Sequence, residues 1–168
     1  MRLRPQSPTD LLIAFMLLAG LFLLAQHLGG RWLDGDTVDG PAFAVDGDTL
    51  EVRGTRVRLS GIDAPELRQT CGAAESLWPC GEVAHKALQK ALAGGTVQCA
   101  GQGHDQYRRL VAICTVGEDD VAEDLVREGL ALSAGRYGAS ELEARVTRRG
   151  LWAGPFERPA EWRAAHPR

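Results

Sequence analysis

Lysine is nearly missing from this chain: Lys86 and Lys90 are the only two, and arginine supplies the rest of the 19 basic residues. Against 22 Asp and Glu the net charge is -3, which excludes a protein that coats a polyanion through its overall field. A nucleic-acid partner would have to be met by a local group of arginines or through a bound cation. There is also no C-x-x-C pair and no histidine spaced to complete one, so a structural zinc site finds no ligands. What is there suits one domain of ordinary size: 168 residues, 45% hydrophobic, enough for a single core.

One long hydrophobic run is present. Arg2 and Arg4 precede fifteen apolar residues from Leu11 to Ala25, followed by Gln26, His27, Leu28 and Gly29-Gly30, with no A-x-A site after them. The run is at the upper end of a signal-peptide core and short of the roughly 20 residues that span a bilayer. Residues 1–30 therefore read as a signal peptide or a membrane anchor, an N-terminal hydrophobic helix. The expected address of the rest is periplasmic or extracellular, with residues 11–30 holding it to the inner membrane if they are not removed. The four cysteines agree with an oxidising compartment. "TVQCA" and "LVAICTV" are β-rich and flank a polar loop, so a hairpin centred between residues 106 and 107 places Cys99 opposite Cys114, leaving Cys71 for Cys80. Free buried thiols are the alternative.

In the remainder, "AFAV", "TLEVRG" and "RVRLSG" read as three strands, the last two joined at Gly54-Thr55. A loop from Ala64 to Gly81 leads into "EVAHKALQKALAGG", which puts Val83, Ala84, Ala87, Leu88, Ala91 and Leu92 on one helical face. After the two cysteine-bearing strands come two more helices, "DVAEDLVREG" with Gly129 as its stop, and Ser140 to Arg149 with Ser140 as N-cap. The tail "LWAGPFERPAEWR" reads as an irregular strap. This order suggests a small antiparallel OB-like barrel with helices against it, an α+β fold. The divisions are residues 1–30, an acidic linker at 31–40, the domain at 41–154 and a tail at 155–168.

Side chains that can do chemistry crowd two stretches, "VDGDT" at 45–49 and "RLSGIDAPE" at 58–66. One hairpin separates them, and folding it back brings Asp48 towards Asp63. Two carboxylates suit Ca²⁺ or Mg²⁺, with waters and a backbone carbonyl completing the shell. Arg58 and Glu66 fall in the same neighbourhood. A cation, a guanidinium and a spare carboxylate are the requirements of phosphodiester cleavage: charge neutralisation, a bidentate grip on phosphate oxygens, and a group to position water. His85 and His104 read as surface residues, and Trp78, Trp152 and Trp162 as packing.

With "DQYRRLVA" at 105–112 and "GLW" at 150–152, these stretches resemble the staphylococcal (micrococcal) nuclease family over residues 41–152. The resemblance implies a five-stranded OB-fold barrel with about three helices, acting as a Ca²⁺-dependent monomer that hydrolyses DNA and RNA to 3′-phosphates. It implies that Asp48, Asp63 and the carbonyl of Ala64 bind calcium and that Glu66 orients or deprotonates the attacking water. Arg58 and Arg109 would hold the phosphate and Tyr107 would line the nucleotide site, with Asp46 and Asp105 in support. The family's D-x-Y-G-R becomes D-x-Y-R-R here, so Arg108 stands where a glycine would serve a left-handed turn, and either Arg108 or Arg109 could face phosphate. Ala64 replaces a threonine found in some relatives, a change that a carbonyl ligand tolerates. The competing readings are a nuclease-fold binding module without catalysis and a calcium-binding surface protein.

The tetrapeptide DGDT occurs twice, at 34–37 and 46–49. The first is out of register with an EF-hand loop, with Val38 and Asp39 at its fifth and sixth positions and Val45 at its twelfth. It is read as part of the solvated acidic linker, and the second as the site.

Overall fold

The computed structural model describes residues 13–21, 23 and 36–167. The chain divides into two compact units, Met1–Gly35 and Asp36–Arg168. In the first, residues 13–21 and 23 are helical. Among the described residues no helix is long and apolar enough to cross a membrane. Most of the expected signal or anchor, together with Asp34 and Gly35 of the first DGDT, lies outside the described residues.

The second unit carries nine short strands: β1 (Thr37–Gly40), β2 (Ala42–Ala44), β3 (Thr49–Val52), β4 (Thr55–Leu59), β5 (Ile62–Asp63), β6 (Val97–His104), β7 (Leu110–Val116), β8 (Asp119–Asp120) and β9 (Leu132–Ser133). Its helices are α1 (Cys80–Leu92), α2 (Val121–Arg127), α3 (Gly138–Val146) and α4 (Pro159–Ala165). Seven strands make one curled sheet in the order β1-β6-β7-β4-β3-β2, with β8 beside β7, while β5 and β9 pair separately. Together they form an OB-like α+β fold.

Alternation in sequence decides which faces are buried. In β4, Val57 and Leu59 enter the core while Arg58 points the other way and Arg56 stays exposed. The apolar stripe of α1 covers that core with Ala84, Leu88 and Leu92, and Leu50, Val52, Val97, Leu110, Ala112 and Leu125 fill it. Both disulfides are formed, Cys71–Cys80 and Cys99–Cys114, the second joining directly opposed residues of β6 and β7.

Five details depart from the sequence reading. Residues 37–40 are not linker: they form β1, antiparallel to β6, with Val38 packed on the core, because β6 otherwise leaves an open edge. The sheet is mixed, since β4 runs parallel to β7. The β3–β4 turn is Arg53-Gly54, one residue earlier than expected, both left-handed with φ of 48° and 82° as a tight hairpin of matching twist requires. Helix α3 begins at Gly138 and ends at Val146, and Ser140 is no cap: its hydroxyl donates to Glu123 Oε1 at 2.8 Å, tying α3 to α2. The tail is not all irregular. Pro159 opens α4, and Glu161 accepts from the Arg158 N–H at 3.3 Å, a start signal of proline at the first position and glutamate at the third.

Candidate active site

Strands β3, β4 and β7 lie side by side, and their ends deliver the polar cluster. Residues 45–49 make a tight turn in which Val45 N–H donates to Thr49 O at 2.8 Å and Asp48 N–H donates to Asp46 Oδ1 at 3.0 Å. Asp46 is thus the turn former, and Asp48 is the residue the turn presents. Gly47 is required by close approach: a Cβ there would stand 2.8 Å from Ala64 Cβ and 3.0 Å from Ala84 Cβ.

Register puts Thr49 opposite Arg58. Arg58 Nη1 donates to Asp48 Oδ1 at 2.9 Å, and Nη2 lies 3.5 Å from Asp63 Oδ1, so one guanidinium draws both carboxylates to the same spot. Asp63 comes from β5, held in place by β9, and Ala64 N–H donates to Asp48 Oδ2 at 3.4 Å. Asp48 and Asp63, expected from the sequence to converge on a cation, are brought together here by Arg58. Ala64 meets Asp48 through its N–H.

Arg109 reaches the cluster from the loop before β7. Asp105 anchors it, accepting from Arg109 Nε at 2.7 Å and from its backbone N–H at 3.0 Å. Arg109 Nη1 then donates to Thr49 Oγ1 at 3.2 Å, and Thr49 Oγ1 donates to Asp48 Oδ1 at 3.0 Å. Burial works against the Asp105 charge, but hydrogen bonds from Arg109 and Tyr107 outweigh it and hold its pKa below the ordinary carboxylate value. Arg108 is exposed, with φ of 64°, the left-handed conformation its position demanded. Of the two arginines, only Arg109 is bonded into the cluster among the described contacts. The exposed Tyr107 ring lies 5.5 Å from the Arg109 guanidinium. Replacing Arg108 with glycine relieves the left-handed strain, so the variant should be more stable by about 0.5–1 kcal/mol in urea unfolding, with cleavage kept.

Glu66 sits in a loop built by residues that sequence reasoning passed over. Gln69, fully buried, accepts from the Glu66 N–H at 3.2 Å and donates to Glu157 O at 2.7 Å, stapling the loop to the C-terminal strap. Arg163 of α4 completes the cluster, with Nη1 3.0 Å from Asp63 Oδ1 and 3.1 Å from Glu66 Oε1. Neither Gln69 nor Arg163 carried a signal in the sequence, since Glu157, which Gln69 holds, and the carboxylates that Arg163 meets are remote along the chain. His85 is half-buried, its Nε2 3.2 Å from Ala44 O, and Trp152 packs edge-on to Phe156, both as structural residues.

The electrostatics suit a cation. Burial pushes the Asp48 pKa up to about 6, against the opposing pull of Arg58. Among the described residues, Asp63 Oδ1 is buried and accepts no hydrogen bond, since its guanidinium neighbours are near without being aligned to donate. An all-oxygen donor set with one such orphaned atom fits a hard divalent ion. No group of three or more His, Cys, Asp or Glu poised to hold a metal occurs among the described residues, so protein carboxylates alone would not fill the shell.

The raised Asp48 pKa has a testable sign. Between the ordinary 3.8 and about 6, the folded protein holds a proton that the unfolded chain has lost. Its contribution to stability is full at the acid end and is lost as pH rises through 6. Melting temperatures measured in chelator should fall more steeply from pH 4.5 to 7 for the parent than for Asp48→Asn, which cannot titrate there.

Residues 56–154, more than half the chain, match the family described as staphylococcal nuclease homologue. A "Succinoglycan biosynthesis protein ExoI" of Rhizobium meliloti is 32% identical over 138 residues, 77% of this chain and 71% of that protein. An "Uncharacterized endonuclease" of Haemophilus influenzae is 29% identical over 131 residues, 70% of this chain and 68% of its own length. "Staphylococcal-like nuclease CAN1" of Arabidopsis thaliana is 36% identical over 115 residues, 64% of this chain and 33% of that protein's length. The matched stretch takes in Arg58, Asp63, Glu66 and Arg109, and the chain belongs to the staphylococcal nuclease family.

Proposed function

We propose that the protein is an exported, calcium-dependent nuclease that hydrolyses phosphodiester bonds of DNA, RNA or both. The observation that carries this is the single Arg58 guanidinium held between Asp48 and Asp63, with Glu66 beside them and Arg109 joined through Thr49. Calcium held by Asp48, Asp63 and the carbonyl of Ala64 would supply charge neutralisation at the phosphate. Arg58 and Arg109 grip the non-bridging oxygens and stabilise the charge that builds on them. Glu66 accepts a proton from the attacking water or holds that water in line. With a net charge of -3, substrate is drawn by this local cluster and not by the whole surface. Export is supported by the two disulfides and by the hydrophobic run at residues 11–25.

The test is cleavage of single-stranded DNA and of RNA by the full chain with Ca²⁺, with EGTA, and with Glu66→Ala. Cleavage should require Ca²⁺ and fall about a hundredfold in the variant. Cleavage indifferent to both would refute the mechanism, and retained DNA binding without any cleavage would favour a binding module.

A further inference from the structure

The C-terminal strap does more than close the domain. It is fastened at its foot: Gly72 N–H donates to Pro155 O at 2.9 Å, Gln69 holds Glu157 O, and Phe156 packs with Trp152 on a small second core containing Cys71, Cys80, Leu132 and Leu151. Pro159, the first residue of α4, is buried. Beyond that anchor α4 carries Arg163, which meets two of the carboxylates. Its Nη1 lies 3.0 Å from Asp63 Oδ1 and 3.1 Å from Glu66 Oε1, and its Nη2 donates to Asp63 Oδ2 at 3.3 Å.

We propose that Arg163 is a tethered latch: its guanidinium closes the carboxylate site and must leave Asp63 and Glu66 before a divalent cation and a water can be bound there. This rests on the calcium reading above. Two features make it a latch and not a permanent strut. The carboxylate oxygen that a cation would take, Asp63 Oδ1, is the one that Arg163 approaches without a hydrogen bond. The Arg163 side chain is also 41% exposed, so water competes for it and each contact is weak. The fastened strap keeps it near the site at high effective concentration, so weak contacts still exclude a dilute cation.

Calcium alone is the probe, titrated calorimetrically into the full chain, into Arg163→Gln, and into Arg53→Gln. The last removes the same charge from an exposed residue paired only loosely, at 4.0 Å, with Asp39. Arg163→Gln should bind calcium about five- to tenfold more tightly, with Arg53→Gln unchanged. In the unmutated protein, amide exchange across residues 160–165 should quicken when calcium is added. Equal affinity in Arg163→Gln and the parent overturns the latch, as does equal tightening in Arg53→Gln. Tightening with α4 exchange unchanged also overturns it, since charge removal alone then accounts for the gain. No calcium binding by any variant at millimolar concentration would overturn the calcium reading and the latch together, whereas the other failures leave that reading standing.

Discussion

Arg58→Ala should lower cleavage by about a thousandfold and make the protein less stable as well. On the proposed mechanism the catalytic loss follows from removing a donor that would face the phosphoryl oxygens, where the developing charge is greatest. The stability loss follows from what Arg58 touches. It is the main group opposing the burial of the Asp48 charge, through a 2.9 Å contact in which Asp48 is only 7% exposed. Taking away one partner of a buried pair strands the other. Arg58 is itself 25% exposed, so water replaces part of the lost contact and the cost should be about 2 kcal/mol, below that of a fully buried pair. Two readouts separate the effects. The fall of stability from pH 4.5 to 7 should steepen, because Asp48 then has less to keep it charged, whereas kcat measured well below the melting temperature reports the chemistry. Arg58→Lys should recover the pH behaviour in part and little of the rate, since an ammonium cannot span Asp48 and Asp63 or fork onto a phosphate. Full activity in Arg58→Ala would remove Arg58 from the mechanism.

What could be read from the sequence divides along contact range. Asp48, Arg58, Asp63 and Glu66 fall within nineteen residues joined by one hairpin, so local turn and strand signals sufficed to bring them together. The Cys99–Cys114 pairing was legible for the same reason, being fixed by a hairpin's symmetry. The left-handed demand on Arg108 was legible as a departure from a motif. Other parts depend on partners remote in sequence. Arg163 contacts Glu66 and Asp63 across 97 and 100 residues, and nothing in "EWR" announces a carboxylate partner. Strand β1 is four residues with an acidic side chain, too short and too polar to signal a strand until the open edge of β6 receives it. Parallel pairing of β4 with β7 is likewise invisible to hairpin rules, yet it sets Val57 opposite Leu110, and Arg109, the residue before Leu110, then reaches the cluster through Thr49, which stands opposite Arg58. The carboxylates were therefore readable and the arginines that surround them only in part.

Gly81→Ala tests whether the geometry of Glu66 depends on the helix behind it. Helix α1 begins at Cys80, pinned by its disulfide to Cys71, and a Cβ on Gly81 would stand 1.8 Å from Glu66 O and 2.9 Å from Leu67 C. Those are backbone atoms, so no side chain can swing away to make room. Either α1 moves, against its disulfide and against Ala84 and Leu88 in the core, or the Glu66 backbone moves. Overpacking of this kind costs about 3 kcal/mol in stability. The Glu66 loop is the softer of the two, held by the Gln69 amide and the strap, and so it should take up most of the shift. If Glu66 meets the attacking water as proposed, a displacement of about 1 Å should lower kcat by about a hundredfold. Gly138→Ala is the control: nothing lies within 4 Å of a Cβ there, and as the first residue of α3 it should be neutral or slightly stabilising. The expected pattern for Gly81→Ala is a lower midpoint in urea together with reduced kcat under conditions where the variant is fully folded. Loss of stability with kcat unchanged would mean that α1 had yielded instead, and that Glu66 is positioned by the strap alone.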